Sequence, residues 1–598
     1  MIRLAGFAAG HLLRLLVFAA AAWGAGGAAL RRVSTPLGFA SRLERAALST
    51  VFGFGLLSTV FFGLACLRLL RAPAVAIVLA AGVLLVWRER RAAHEAIRGA
   101  GPKALAALAL LTPLFYASLF PPTDPDATMY HLPAARAFAV SGAIPALPDL
   151  RYPVFPQLAE LLDAAALLVG DDVLVALLNL LWCVLVAALL VAWGKRLRDP
   201  RAGVWGAGLW IGSPLVLLLA RSGLVEPAAS GFLTASLLAM EGARVSGGLA
   251  WLAVSGALAG WAAGTKYTGL YFAAALFAVA LIVGRPGARA RGAVLFALGA
   301  LAAAGPWYLR NLILAGNPVW PFLGKIFGYR FWGPADVASA TWSLSHEGGS
   351  HRLAALLTLP WRLAVFRLPG SLGLFPGLFA LFPVGVVWGL RSRSLRWVTL
   401  VSLGFLLFWF ATTQQIRFLV PGLPAIALLT AGAVSRFADR FLPMRRPAAT
   451  AALTAAALVV FAALLTRDTV RRLVPRGLPP MDENARAAYF TSRMPSYPLY
   501  RMLNGRHGAA YTIYAFHDEP MKYFCEGRHL GDWFGPASYG SMRLSSGRDL
   551  LESLGRFRAD YLLVNESSFP ARLPRDGVFE AHFEEIYRNG AIRAFRIR

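Results

Sequence analysis

Two carboxylates, a phenol and an imidazole fall within eight residues in the stretch PPTDPDATMYHLP: Asp124, Asp126, Tyr130 and His131. They stand where polarity returns after a long apolar run. Carboxylates so placed can take a proton from an attacking hydroxyl or hold a divalent cation. Asp126 also precedes residues 127–140, whose apolar positions recur at helical spacing with Arg136 on another face. That pattern predicts an amphipathic helix along the membrane surface, and an Asp at its start commonly caps orphan N–H groups. Local sequence leaves both roles open.

Further groups of the same kind lie downstream. Glu226, in ARSGLVEPAASGF, precedes Pro227 at a helix-start position. Lys266, in AGWAAGTKYTGLYF, interrupts two apolar runs, a costly place for an ammonium unless it snorkels or meets an anion. Arg310 and Asn311 end an apolar run in GPWYLRNLILAGNPVWPF. TTQQIRFLVPGLP supplies Gln414, Gln415 and Arg417. Arginine suits two-pronged binding of a phosphate, and interfacial snorkelling is the plain alternative for both arginines. Acids that can act as bases, beside cations that can hold a departing phosphate, describe a site for a phospholipid-linked substrate.

The elements that must position these groups are membrane helices. Of 598 residues, 57% are hydrophobic and 15% charged, where a soluble chain carries about 25% charged. Apolar runs of span length recur about 14 times, near 6–30, 46–67, 73–87, 103–120, 172–194, 202–220, 227–243, 248–264, 267–284, 292–310, 370–390, 396–412, 417–435 and 448–466. The net charge of +28 is spread over short clusters between these runs. That distribution speaks against nucleic acid and for membrane topology, with attraction to anionic lipid headgroups.

The clusters are Arg31–Arg45, Arg88–Lys103, Lys195–Arg201, Arg244, Arg285–Arg291, Arg391–Arg396 and Arg436–Arg446, each an even number of spans from the next. All therefore fall on the cytoplasmic side, and only Arg68 and Arg71 dissent. The parity puts the N-terminus outside, with an uncleaved first span preferred to a signal peptide. It also puts outside the loops 121–171 and 311–369, the Glu226 turn and everything after about residue 467. Three scattered cysteines give no disulfide framework or zinc spacing.

Three parts follow: a three-helix extension (1–102), a membrane core (103–466) and a soluble α/β domain (467–598). In the last, AAYTIYAF, DYLLVN and IRAFRIR read as strands, and MDENARAAYFTSR and RDLLESLGRF as helices. His517, Asp518, His529 and Asp532 are too irregularly spaced for a metal site and read as surface polarity.

The order DPDATMYHLP, YPVFPQLAELL, GLVEPAASGF, GTKYTGL, PWYLRNLILAGNPVWPF, IRFLVPGLPAIALL resembles bacterial membrane glycosyltransferases of the GT-C superfamily. The branch is the one related to protein O-mannosyltransferases and lipid A aminoarabinose transferases. The resemblance spans roughly residues 103–435 and rests on motif order and placement on one face. It implies an inverting transfer from a polyprenyl-phosphate-linked sugar to a glycan, lipid or protein acceptor, outside the bacterial inner membrane. Asp126 matches the family's key first-loop acid, with Asp124 its challenger. Glu226 matches the second acid, Thr265-Lys266 the TK element, and Arg417 the late outer loop. Asp126 is the expected base, and Lys266 with Arg310 or Arg417 the expected phosphate holders. Tyr130 and His131 are expected to line the sugar site, and Asn311 is expected among the substrate-binding residues. Asp126 and Glu226 would hold any divalent cation, magnesium or manganese. The rival readings are a lipid-linked glycan flippase and an O-antigen ligase or polymerase. Alternating access wants a midplane site and internal repeats, and no repeat is seen.

Overall fold

The computed structural model describes residues 2–33, 37–87, 111–283, 286–346, 349–365, 376–441, 476–569 and 573–598. The expected span 448–466, most of 103–120 and the basic cluster at 88–103 lie outside them. Among the described residues, five helices are long and apolar enough to cross a membrane: Ile2–Arg32, Arg42–Cys66, Asp172–Arg196, Pro286–Ala315 and Ile416–Asp439. Shorter apolar helices are Ala72–Val86, Leu249–Thr265, Thr268–Ala280 and Arg396–Ala411. The expected run 202–220 is two helices, Pro200–Ile211 and Pro214–Leu219. Pro214 lacks the N–H that would continue the first helix and instead opens the second.

Glycines let neighbouring helices touch backbone to backbone. A Cβ on Gly53 would overlap the Ala22 carbonyl, and one on Gly256 the Phe296 carbonyl. The first contact joins Ile2–Arg32 to Arg42–Cys66, and the second joins Leu249–Thr265 to Arg289–Ala315. Small residues at such crossings replace the hydrophobic driving force that lipid cannot supply. Gly256→Leu is therefore expected to lower stability by at least ~1–3 kcal/mol, read as a fall in the unfolding temperature in detergent.

Among the described residues, Arg196, Arg201 and Arg244 of three basic clusters make their contacts toward one end of the bundle. Arg196 bonds Glu44 at 2.7 Å and the Gly38 carbonyl at 2.8 Å. Arg201 pairs with Asp439 at 2.5 Å. Glu241 accepts from both Arg244 and Trp397 Nε1. The opposite end carries His11, whose Nε2 lies 3.1 Å from Asp171, and the C-terminal domain. The dissenting Arg71 lies there too, bonded to the carbonyls of Val140 at 2.7 Å and Ser141 at 3.2 Å. These carbonyls end the helix Leu132–Ser141, a favourable seat for a cation.

The C-terminal domain is built on a five-stranded mixed sheet, order β2-β1-β3-β5-β4. Its strands are β1 (Thr512–Phe516), β2 (Arg528–Leu530), β3 (Tyr561–Asn565), β4 (Phe583–Asn589) and β5 (Ile592–Ile597). β1 runs parallel to β2 and β3, and β5 antiparallel to β3 and β4. The three expected strands and two expected helices form. The edge strands β2 and β4 and the helix Tyr497–His507 were not foreseen. Charged residues along β4 suit an edge and hide it from pattern reading.

This domain sits on the loops around residues 121–172. Ala117 and Phe120 enter its core beside Phe490, Leu499 and Tyr500. Arg136 donates to the carbonyls of Tyr523 (2.7 Å) and Cys525 (3.0 Å). Arg486 grips Asp172 at 2.8 and 2.9 Å, and Arg528 grips Asp149 at 2.7 and 2.9 Å. The amphipathic helix expected to lie on the membrane surface is thus roofed by the domain, and its polar face is spent on docking.

The polar set His517, Asp518, His529 and Asp532 is not mere surface polarity. The last three are buried. Asp518 accepts from Ser496 and Tyr500, Tyr500 meets His529 Nε2 at 3.0 Å, and Asp532 takes Lys522 and Arg151. Burial lifts the Asp518 carboxyl from its ordinary 3.8 to about 7, against the hydrogen bonds that favour its ionised form. The folded domain therefore keeps a proton that the unfolded chain releases near pH 4. Its stability should fall as pH rises through that window and be flatter in Asp518→Asn, measured by thermal unfolding at acidic and alkaline pH.

Candidate active site

The quoted stretch folds into an unusual helix start. Residues 127–131 form a π turn, Ala127–His131, ahead of Leu132–Ser141. Asp126 is already in helical conformation, φ −67° and ψ −32°, and its side chain makes no cap hydrogen bond. A capping Asp needs extended backbone to reach back to the N–H groups, so capping does not explain this residue. Its carboxylate instead forms an ion pair with Arg417.

Two consecutive helices supply the next pair. Glu226 opens Glu226–Ser246, and Lys266 follows Leu249–Thr265 in extended conformation. The chain travels down one helix and back up the other, which returns Lys266 to the level of Glu226. Lys266 Nζ lies 2.5 Å from Glu226 Oε1. An acid at a helix N-terminus and a base at a C-terminus both suit the helix dipoles. The short turn Ile416–Gly422 brings in Arg417, whose Nε is 3.8 Å from the same Glu226 oxygen. It also places Phe418 beneath Lys266, 3.9 Å from Nζ to the ring centre.

The result is a cluster of two carboxylates and two cations in which exposure is graded. The Glu226 side chain is 0% exposed, Lys266 13%, Arg417 21% and Asp126 26%. The outermost members are the ones a substrate meets first. Arg417 also reaches the Tyr130 hydroxyl at 3.4 Å, and Tyr130 packs against His131 and Tyr152. His131 Nδ1 lies 2.7 Å from Glu160 of the helix Leu158–Val169.

Asp124 is beside the cluster rather than in it. Burial raises its carboxyl to about 6, opposed by Arg221 and Arg476. Burial would raise Asp126 too, but Arg417, Arg151 and His131 outweigh it and leave that carboxyl lowered.

Arg310 and Asn311 are not brought to the cluster. Arg310 is buried against backbone, donating to the carbonyls of Ile144 (2.9 Å), Pro145 (2.7 Å) and Phe155 (3.3 Å). It clamps the loop that follows the surface helix. Asn311 Nδ2 lies 3.4 Å from the Tyr267 hydroxyl and 3.5 Å from the Pro318 carbonyl. Asp126 and Glu226 are both held by cations, and among the described residues no group of three His, Cys, Asp or Glu converges.

Three residues near the cluster were not singled out from sequence. Glu160 stands in LAELLDAAALL, where its only signal is an acid in an apolar helix. Tyr152 flanks Tyr130. Arg151 reaches Asp532 of the C-terminal domain at 2.9 Å through Nε and 2.5 Å through Nη2, and its charge acts on Asp126. The domain therefore feeds the electrostatics of the cluster through one side chain.

Residues 153–309 match the family model for dolichyl-phosphate-mannose-protein mannosyltransferase. This segment holds Glu160, Glu226 and Lys266, while Asp126 and Arg417 join from outside it. Residues 485–596 match a family described as SF2091/S2213. Two Shigella flexneri proteins are similar over short stretches: SF2092/S2214, 31% identical over 126 residues, and SF2093/S2215, 52% identical over 54. The aligned parts cover 62% and 27% of those relatives. Among solved structures, ArnT from Cupriavidus metallidurans bound to undecaprenyl phosphate is similar with a TM-score of 0.53 at 15% identity. The match covers 83% of this chain and 98% of that one. The apo oligosaccharyltransferase of Archaeoglobus fulgidus gives 0.50 at 13% identity, over 78% and 70%. In fold, the chain is similar to these two membrane proteins, and its residues 153–309 carry the mannosyltransferase-type match.

Proposed function

We propose that this protein transfers a sugar from a polyprenyl-phosphate carrier to an acceptor hydroxyl or amine, with inversion, at the extracytoplasmic face of the bacterial inner membrane. The observation that carries the reading is the Asp126–Arg417–Glu226–Lys266 cluster at the end of the bundle opposite the basic clusters. Positive charge marks the cytoplasmic side, so the cluster end and the docked C-terminal domain are outside. The similarity to a structure holding undecaprenyl phosphate supports the donor class.

Asp126 takes the proton from the acceptor. The acceptor oxygen attacks the anomeric carbon on the face opposite the phosphate. Lys266 and Arg417 neutralise the charge that grows on the leaving phosphate. Glu226, buried between the two cations, holds both in place. An incoming phosphate exchanges for the carboxylates that occupy these cations in its absence.

The test is transfer by purified protein in liposomes, supplied with a polyprenyl-phosphate sugar and candidate acceptors. Sugar appearing on an acceptor with inverted anomeric configuration supports the reading. Movement of the intact lipid-linked sugar between leaflets without transfer would establish the flippase instead.

A further inference from the structure

His131 is tied at one ring nitrogen only. Nδ1 lies 2.7 Å from Glu160 Oε1, and the two side chains are 7% and 4% exposed. A carboxylate on one imidazole nitrogen keeps the proton there and leaves the lone pair on the other, Nε2. No hydrogen bond from Nε2 to the described residues is present.

The π turn decides where this ring stands. It begins immediately after Asp126 and ends on His131. Its hydrogen bonds run between residues five apart, so position 131 returns to the side of position 126. Such turns recur at functional sites. The ring stands near enough to Asp126 and Glu226 that a positive charge on it would lower both carboxyls.

The transfer has a proton to place. The acceptor's O–H bond breaks, its oxygen bonds to the anomeric carbon, and the bond from that carbon to the phosphate oxygen breaks. The lipid phosphate departs with one more negative charge, and one proton is released. Asp126 is poorly suited to keep that proton, because Arg417 and Arg151 both favour its charged form.

We propose that His131, held by Glu160, accepts at Nε2 the proton that Asp126 removes, returning Asp126 to its charged form and balancing the new phosphate charge. His131 acts through Asp126 and is a positioning and relay residue. The proposal rests on the transferase reading above.

The groups around the ring fit the assignment. Glu160 faces it from Leu158–Val169, with Asp163 one turn further along that helix. Asp126 and Tyr130 share its own turn, and Glu226 faces it from Glu226–Ser246. The turn Glu519–Tyr523 of the C-terminal domain packs on the π turn and brings Glu519 and Lys522. Those two are engaged by Tyr539 and Asp532. Arg417, Lys266 and Arg151 bring cations to the same cluster, each already paired with a carboxylate.

The test uses full-length protein in liposomes with a polyprenyl-phosphate sugar donor. His131→Ala should lower kcat about tenfold or more and leave the donor KM within about twofold. Added imidazole should restore part of the lost rate, which a purely structural role would not allow. Glu160→Gln, with the ring in place, should also lower kcat without raising KM. Wild-type kcat in His131→Ala overturns the proposal. So does a loss that imidazole leaves untouched, or one confined to KM. Asp126→Asn separates the two readings. If it is inactive while His131→Ala is normal, only the relay fails; if it is fully active, the base assignment beneath it fails.

Discussion

Asp126→Asn is expected to reduce sugar transfer by about 10²- to 10⁴-fold while donor binding persists. The amide is the same size as the carboxylate, so the π turn and its packing are kept. What is lost is the proton acceptor and the charge that occupies Arg417. An Arg417 freed from its carboxylate is more available to a phosphate, so the donor KM should stay level or fall. A drop in kcat without a rise in KM is the signature of a group that acts in the transition state. Initial rates over a range of donor concentration, with membrane insertion confirmed, give both numbers.

Lys266→Met is expected to fail in two ways at once. It removes the cation set deepest against the phosphate site, and turnover should fall by about 10²-fold or more. It also leaves Glu226 buried, with Oε2 unpartnered and Arg417 at 3.8 Å as its remaining ion-pair partner among the described residues. Breaking a buried pair on one side typically costs ~3–5 kcal/mol. The two losses can be separated. Adding Glu226→Gln removes the stranded charge, so the double variant should regain most of the unfolding temperature in detergent and none of the transfer. If the double variant also regains transfer, Lys266 is a structural partner and not a phosphate holder.

The four residues of this cluster stand out in the sequence. Asp126, Glu226, Lys266 and Arg417 could be singled out because charge in an apolar chain is costly and stands out. Topology parity expects them on one face, and the ion pairs bring these four together. The same logic failed for Arg310, which is just as conspicuous but spends its donors on three carbonyls of a neighbouring loop. Charge type shows in sequence; which carbonyls lie within reach does not. Glu160 is hidden for the opposite reason, because two acids a turn apart among leucines and alanines, Glu160 and Asp163, look like a solvated helix face. Its meaning comes from His131, twenty-nine residues away. The roofing of the surface helix by the C-terminal domain was equally hidden. Arg136 reads as the polar face of a surface helix, and Arg151 and Asp172 as ordinary charges, until their partners at 523, 532 and 486 arrive from the far end of the chain.

The central claim is that Lys266 and Arg417 form a lipid-phosphate seat kept by Glu226 and Asp126 until the donor arrives. Titrating undecaprenyl phosphate into wild-type protein and into Lys266→Met/Glu226→Gln tests it most directly, because the double change leaves net charge unaltered. Saturable binding by wild type that is lost in the folded double variant is the predicted result. Equal binding by the two proteins would contradict the account.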